Sequence, residues 1–361
     1  MSVSIPRENG EKDTLLVGID LGTSAIKMVN PISHEKVRVL SCLGELPEIR
    51  PIGLPTRARS IISNMAYEGA DRSFLLGESA QSYSATPRWF MYRGFAAPND
   101  IQYAIDAVKA CVASITPFKR KRERIRARVI VGVPAAYDEK YVEAFQKGLA
   151  NGEQSFTLRN FATKERKDVT LFVEELQLWP QSFGSLYSHC KSTHDDTFSG
   201  MVIDIGFGLT NICAFVELKA LRLASATLPI AVGDVALQLR EALIRRGGGT
   251  DIPTVFALGE LLKEDEPILR TRTLGTVSLK EEKEKACLYV GQNLWREASF
   301  YVDRVLTTPA ASKLVISGGG SNTYLGEYLR SGFSNLDPIV LRDIFANAEG
   351  LMLAARDLWS A

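Results

Sequence analysis

Two acidic residues along this chain of 361 residues are each followed at once by a glycine turn that carries hydroxyl groups. Asp20 opens Asp20-Leu21-Gly22-Thr23-Ser24, and Asp204 opens Asp204-Ile205-Gly206-Phe207-Gly208-Leu209-Thr210. Such a segment suits a phosphate and its metal. Successive backbone N–H groups in a tight turn can converge on phosphate oxygens. Glycine lets the backbone approach closely. A carboxylate at the entry can hold Mg²⁺ through water, because that ion keeps much of its hydration. Two turns of this design can clamp a polyphosphate from both sides. A third segment, Val315-Ile316-Ser317-Gly318-Gly319-Gly320-Ser321, offers bare backbone against which a flat group can lie. The candidates are Asp20 and Asp204 for the metal, and Gly22, Thr23, Ser24, Gly206, Gly208 and Thr210 for the phosphates.

Other chemistries are poorly served. Only three histidines occur (His34, His189 and His194), which argues against a histidine metal centre and most histidine acid–base work. The five cysteines lie far apart with no CxxC spacing, which fits a reducing compartment rather than a disulfide framework. Lys and Arg number 43 against 42 Asp and Glu, so bulk electrostatics do not favour coating nucleic acid directly. The segment Met1 to Asp13 lacks an apolar core of the signal-peptide kind. No apolar run reaches the ~18 residues of a membrane span. A cytoplasmic protein is expected.

The elements that must position these residues follow from the apolar pattern. Leu15 to Ile19 reads as a buried strand that runs into Asp20, and Ala25 to Val29 as its return strand. The pattern recurs near residue 200, where Met201 to Ile203 leads to Asp204 and Asn211 to Val216 returns. Two such copies imply two similar domains facing each other. Arg128 to Val133 and Asp168 to Trp179 read as strands stopped by Pro134 and Pro180. Helical spacing marks Asp138 to Leu149, Val232 to Ile244, Leu279 to Val305 and Ala346 to Trp359. Ser278 is the expected cap of the third of these. Lys313 to Ser317 reads as a strand, with a helix opening from Asn322.

The three glycine segments, in this order, resemble the first phosphate loop, second phosphate loop and adenosine loop of the superfamily of actin, sugar kinases and heat-shock chaperone ATPases. The resemblance covers about residues 15 to 350. It implies an α/β, actin-like fold, with two related α/β domains facing across a nucleotide cleft. Domain I would hold residues 1–183 plus the C-terminal segment 339–361, with an outer subdomain at about 31–100. Domain II would run over 184–338, with an outer subdomain at about 245–275. Asp168 to Phe172 followed by Gln177-Leu178-Trp179-Pro180-Gln181-Ser182 is similar to the plasmid-segregation actins of the ParM type, with MamK-type actins as the second choice. There a glutamate after the proline positions the attacking water. Gln181 takes that place here, as a glutamine does in actin: it can orient water but cannot take the proton. Glu174 and Glu175 are the competing acids. The resemblance also places Lys27, Gly233, Asp234, Lys283, Gly318, Gly319 and Gly320 at the nucleotide.

The expected function is a nucleotide-dependent, filament-forming ATPase that uses ATP (GTP is the alternative) with Mg²⁺. Its first partner would be itself, in a homopolymer. An adaptor would link the filament to plasmid DNA or an organelle. The alternatives are a non-polymerising actin-fold scaffold of the FtsA or PilM sort and a metabolite kinase of the same superfamily. Lys119 to Arg128, seven of ten residues basic, reads as a solvated loop before a strand. Leu351 to Trp359 carries little basic character and is expected to pack on its own domain rather than on a membrane.

Overall fold

The computed structural model describes residues 14–47, 64–92, 95–96, 100–116, 122–137, 139–161, 165–249, 251–306 and 313–360. β1 (Leu15–Leu21) and β2 (Ala25–Val29) form an antiparallel hairpin, and β3 (Lys36–Leu40) continues the meander. β4 (Cys42–Gly44), β5 (Met65–Glu68), β6 (Ser73–Leu76), α1 (Glu78–Tyr83) and β7 (Arg88–Trp89) follow. β8 (Met91–Tyr92) and β9 (Phe95–Ala96) form a two-stranded sheet. Then come α2 (Ile101–Ser114), β10 (Arg122–Val133), α3 (Glu139–Leu149), β11 (Glu153–Asn160) and β12 (Arg166–Pro180). Ten strands join one sheet in the order β3-β2-β1-β10-β12-β11-β5-β6-β4-β7. β1, β10 and β12 run parallel. Parallel neighbours need crossovers, usually helical. Here α2 precedes β10 and α3 precedes the β11–β12 pair. Alternate apolar residues of β10 and β12, such as Val129, Val131, Val169 and Leu171, share one core with Ile105 and Val108 of α2 and Phe145 of α3.

The second half repeats the motif. α4 (Gln181–Thr193) leads to the hairpin of β13 (Gly200–Ile205) and β14 (Thr210–Val216), extended by β15 (Lys219–Leu228). α5 (Val232–Arg245) and α6 (Val255–Leu261) precede a small hairpin, β16 (Ile268–Thr271) and β17 (Gly275–Ser278). The long α7 (Lys280–Leu306), β18 (Lys313–Ser317), α8 (Tyr324–Gly332), β19 (Ile339–Val340) and α9 (Ala346–Trp359) complete the chain. Five strands pair in the order β15-β14-β13-β18-β19. In each sheet a hairpin's first strand, β1 or β13, has a parallel neighbour on its other side, β10 or β18. That shared local arrangement puts Asp20 and Asp204 at equivalent strand ends.

α9 returns to the first sheet, with Leu351, Ala354 and Ala355 packed on Ile130. It also crosses α4 so closely that a Cβ at Gly350 would strike the Gly184 backbone. The two helices therefore sit at the junction of the sheets. The loop after β10 makes a second junction: Ala135 N–H donates to Asn211 Oδ1 of β14 at 3.0 Å.

Several expectations need correction. Arg122 to Arg128 is not a loop but the first half of β10, with Arg124 paired to Glu153 and Arg126 to Glu174. Lys119 to Lys121 lie outside the described residues, as do Met1 to Asp13 and Asp138. Ser278 ends β17 instead of capping α7, which begins at Lys280. Of the described strands within 31–100, β3 to β7 join the large sheet, and β8 and β9 form a two-stranded sheet of their own. β3 belongs to the inner meander, and β4 to β7 extend the large sheet through β11. At the C-terminus, Ile339 and Val340 pair with β18 in the second sheet, and only α9 returns to the first. Near the expected second outer subdomain, the β16–β17 hairpin runs on to Ser278.

Candidate functional site

A cavity of about 860 Å³, open solvent included, lies between the two sheets. The ends of β1 and β13 meet across it, so both glycine turns line it, together with Gly318, Gly319 and Gly320.

The turns are built alike at the atomic level. A Cβ on Gly22 would lie 2.7 Å from the Ala25 carbonyl, and one on Gly206 would lie 2.8 Å from the Leu209 carbonyl. A side chain at either place would force the turn open. The first turn is fixed from behind by Ser41, whose hydroxyl donates to the Gly22 carbonyl at 2.7 Å and whose N–H donates to Ser24 O at 3.1 Å. These carbonyls therefore point away from the cavity. The second turn is fixed by α5. Val232 N–H donates to Gly206 O at 3.3 Å and Gly233 N–H to Phe207 O at 2.7 Å.

The carboxylates differ. Asp20 accepts from the Lys27 ammonium at 2.8 Å, its directly opposite partner on the return strand. Among the described residues Asp204 has no such cation in contact. Ser317 Oγ donates to its Oδ1 at 3.3 Å and Asn347 Nδ2 to its Oδ2 at 3.1 Å. Burial, and next the charge of Asp20, push the Asp204 carboxyl up to about 6. Asn347, Lys27 and Ser317 offset this only in part. Two enclosed carboxylates that repel each other suit a divalent cation, which would lower the energy of both charged forms. Among the described residues no three His, Cys, Asp or Glu side chains converge to cage a metal. An ion here would take its other ligands from water and phosphate, as Mg²⁺ commonly does.

Gln181 stands at the start of α4, immediately after Pro180. Its Nε2 donates to the Leu21 carbonyl at 2.9 Å, and its Oε1 accepts from Asn211 Nδ2 at 3.2 Å. Asn211 in turn accepts from Ala135 N–H and from Thr227 Oγ1 at 3.1 Å. Both ends of the Gln181 amide are therefore tied. One N–H and one lone pair remain to orient a water molecule beside the turns.

Most of the residues nominated from sequence converge here: Asp20, Gly22, Thr23, Ser24, Lys27, Gln181, Asp204, Gly206, Gly208 and the three glycines 318–320. Within that triplet the roles separate. Gly318 has φ +87° and lies against Asp204 and Ile205, where a Cβ would collide. Gly319 faces open space. Four nominated residues are placed elsewhere. Thr210 is fully buried, and its hydroxyl donates to the Ile230 carbonyl at 2.7 Å. It closes the hairpin and does not face the cavity. Gly233 and Asp234 hold the second turn and cap α5, Asp234 accepting from Ala231 N–H at 2.8 Å. They line a neighbouring pocket with Trp89 and Phe256. Lys283 is buried, donates to the Glu264 carbonyl and lies 4.9 Å from the Tyr324 ring centroid. Glu174 and Glu175 are excluded as water-activating acids. They pair with Arg126 and Arg128 some six residues back along β12, about 20 Å from Gln181 at strand rise.

Residue typing alone missed Asn211 and Asn347. Both are buried; Asn211 opens the apolar run to Val216, while Asn347, in the first turn of α9, carries no such mark. Arg38, Glu260 and Lys263 also line the cavity, and no local motif marks them.

No protein-family model matches the chain, and neither does any curated protein. Solved structures do match. A 15-stranded ParM filament from Clostridium botulinum aligns with a TM-score of 0.73 at 18% identity, over 94% of this chain and 98% of that one. An archaeal actin homologue in complex with ADP aligns at 0.70 and 17% identity, over 95% and 100%. A MamK double helical filament aligns at 0.66 and 20% identity, over 94% and 98%. The fold is therefore the actin-like α/β fold, shared with ParM and MamK and extending over nearly the whole chain.

Proposed function

We propose that the protein is an actin-like ATPase that assembles into filaments in a nucleotide-dependent way. The observation that carries this reading is the pair of matched glycine turns, each headed by an enclosed carboxylate, opposed across one cavity. Polyphosphate would lie between the turns, with Asp20 and Asp204 holding hydrated Mg²⁺ and Lys27 balancing charge. The flat base of ATP would lie toward Gly319. Gln181 would orient the attacking water, and solvent or phosphate would take the proton. The fold's likeness to filament structures of ParM and MamK supports self-association. Head-to-tail contacts that do not close a ring give an open filament. Residues 1–183 with 339–361 and residues 184–338 would act as the two moving domains, about the α4–α9 crossing. The cargo is plasmid DNA or an organelle, reached through an adaptor.

Light scattering and pelleting of purified protein with Mg-ATP, against no nucleotide, test this directly. Scattering and pelleted protein should rise with ATP, with phosphate released. Labelled nucleotide bound tightly without scattering would instead establish a non-polymerising scaffold. Transfer of the terminal phosphate to a metabolite would establish a kinase.

A further inference from the structure

Phe207, at the centre of the second glycine turn, has its ring in a slot between two helices. A Cβ on Gly233 of α5 would lie 3.3 Å from that ring, and one on Gly259 of α6 would collide with it. On α6 the ring stacks against Phe256, with centroids 4.6 Å apart and planes 19° apart. Phe256 stacks in turn on Trp89, at 3.6 Å and 11°. Trp89 belongs to β7, the last strand of the ten-stranded sheet. A column of three rings thus runs from the first sheet, across the mouth of the cleft, into the phosphate turn of the second. The same helix makes a second bridge: Glu260 pairs with Arg38 of β3 at 2.9 Å. Phe256, Gly259 and Glu260 are spaced i, i+3, i+4 and so share one face of α6. That face meets the first sheet and the turn at once.

We propose that Trp89, Phe256 and Phe207 are positioning residues that couple closure of the cleft to the shape of the second glycine turn. When the lobes part, Trp89 leaves Phe256. The Phe207 ring then loses the stack that holds it in its slot, and the turn loses its support. When the lobes close, the column presses Phe207 between Gly233 and Gly259 and sets the turn for a nucleoside polyphosphate. Release of the nucleotide therefore requires the column to break. This rests on the reading of the cavity as a nucleotide site. It adds the groups that set how long nucleotide stays.

Stopped-flow release of fluorescently labelled ADP tests it, with thermal melts as the check on folding. Phe256→Leu keeps apolar bulk but removes the ring, and release should quicken about tenfold, the scale of lost aromatic stacking. Trp89→Leu, at the edge of the first sheet, should do the same and serves if Phe256→Leu does not fold. The double variant should release no faster than either single one, since both break one column. Trp89→Phe and Phe256→Tyr should stay within about twofold of the parent, because they retain the rings. A merely structural role would lower the melting temperature without this pattern of non-additivity and rescue. If the parent binds no labelled ADP, the nucleotide reading itself is overturned. If the parent binds and the leucine variants release at the parent rate, or their effects multiply, the coupling is overturned while the nucleotide site stands.

Discussion

Ionisation and folding oppose each other at Asp204. Burial and the charge of Asp20 push its carboxyl up to about 6, above the ordinary value of 3.8. A group raised in the folded state contributes stability that is fully present below the unfolded value and is lost as pH rises through the folded one. The ligand-free protein should therefore lose stability from this group between about pH 4 and pH 6, on the scale of ~3 kcal/mol. Asp204→Asn keeps the shape and stays neutral, so it should flatten that part of the profile and abolish Mg-nucleotide hydrolysis. Thermal melts at acid and neutral pH check the first outcome, and parallel profiles in both proteins would assign the titration elsewhere. In the proposed reaction Gln181 would act by orientation, being tied to Leu21 and Asn211 at its two ends. Gln181→Ala should slow phosphate release by roughly ten- to a hundredfold, with labelled ATP binding nearly unchanged. Equal turnover would remove Gln181 from the reaction.

The decisive contact between elements is the crossing of α4 and α9. Glycines let the two backbones touch there, and the touch carries Asn347 to Asp204 and to Ser185 N–H, which donates to its Oδ1 at 3.1 Å. A methyl group at Gly350 would drive the helices apart. Gly350→Ala should cost about 1–3 kcal/mol or more, read as a lower urea midpoint, and should weaken nucleotide binding by drawing Asn347 away. A midpoint equal to that of the parent would show that the helices can separate without strain. The sequence showed α9 as an amphipathic helix that packs on its own domain, but named no element there as its partner. Apolar periodicity says which face is buried, not what buries it.

At the scale of the whole molecule, the bridges between the two lobes include the α4–α9 crossing, the Asn347–Asp204, Gln181–Asn211 and Ala135–Asn211 bonds, the Arg38–Glu260 pair and the aromatic column. In the proposed function such an arrangement would close by domain rotation around the nucleotide. Hydrogen exchange measured with and without Mg-ATP should therefore slow together in residues 206–209, 255–261 and 36–44. Protection confined to the glycine turns would show that ligand binds without lobe closure. The charge balance of 43 against 42 leaves the closed form free of strong self-repulsion, which is compatible with dense assembly.

By itself the sequence determined the turns, their acids and the order of the three glycine segments, and through these the fold class. A turn is local chemistry: an acid at a strand end and glycine where a Cβ would strike a neighbouring carbonyl fall within six residues, Asp20 to Ala25 and Asp204 to Leu209. Tertiary structure decided which hydroxyls and amides face the cavity. Thr210 and Asn211 are adjacent in β14, and the pleat sends neighbouring side chains to opposite faces. Residue type favoured Thr210, yet Thr210 is turned to Ile230 while Asn211 reaches Gln181. Asn347 meets Asp204 across 143 residues, and Trp89 meets Phe256 from the opposite sheet. Contacts between distant segments depend on how the sheets and helices pack as a whole, and no spacing along the chain encodes them.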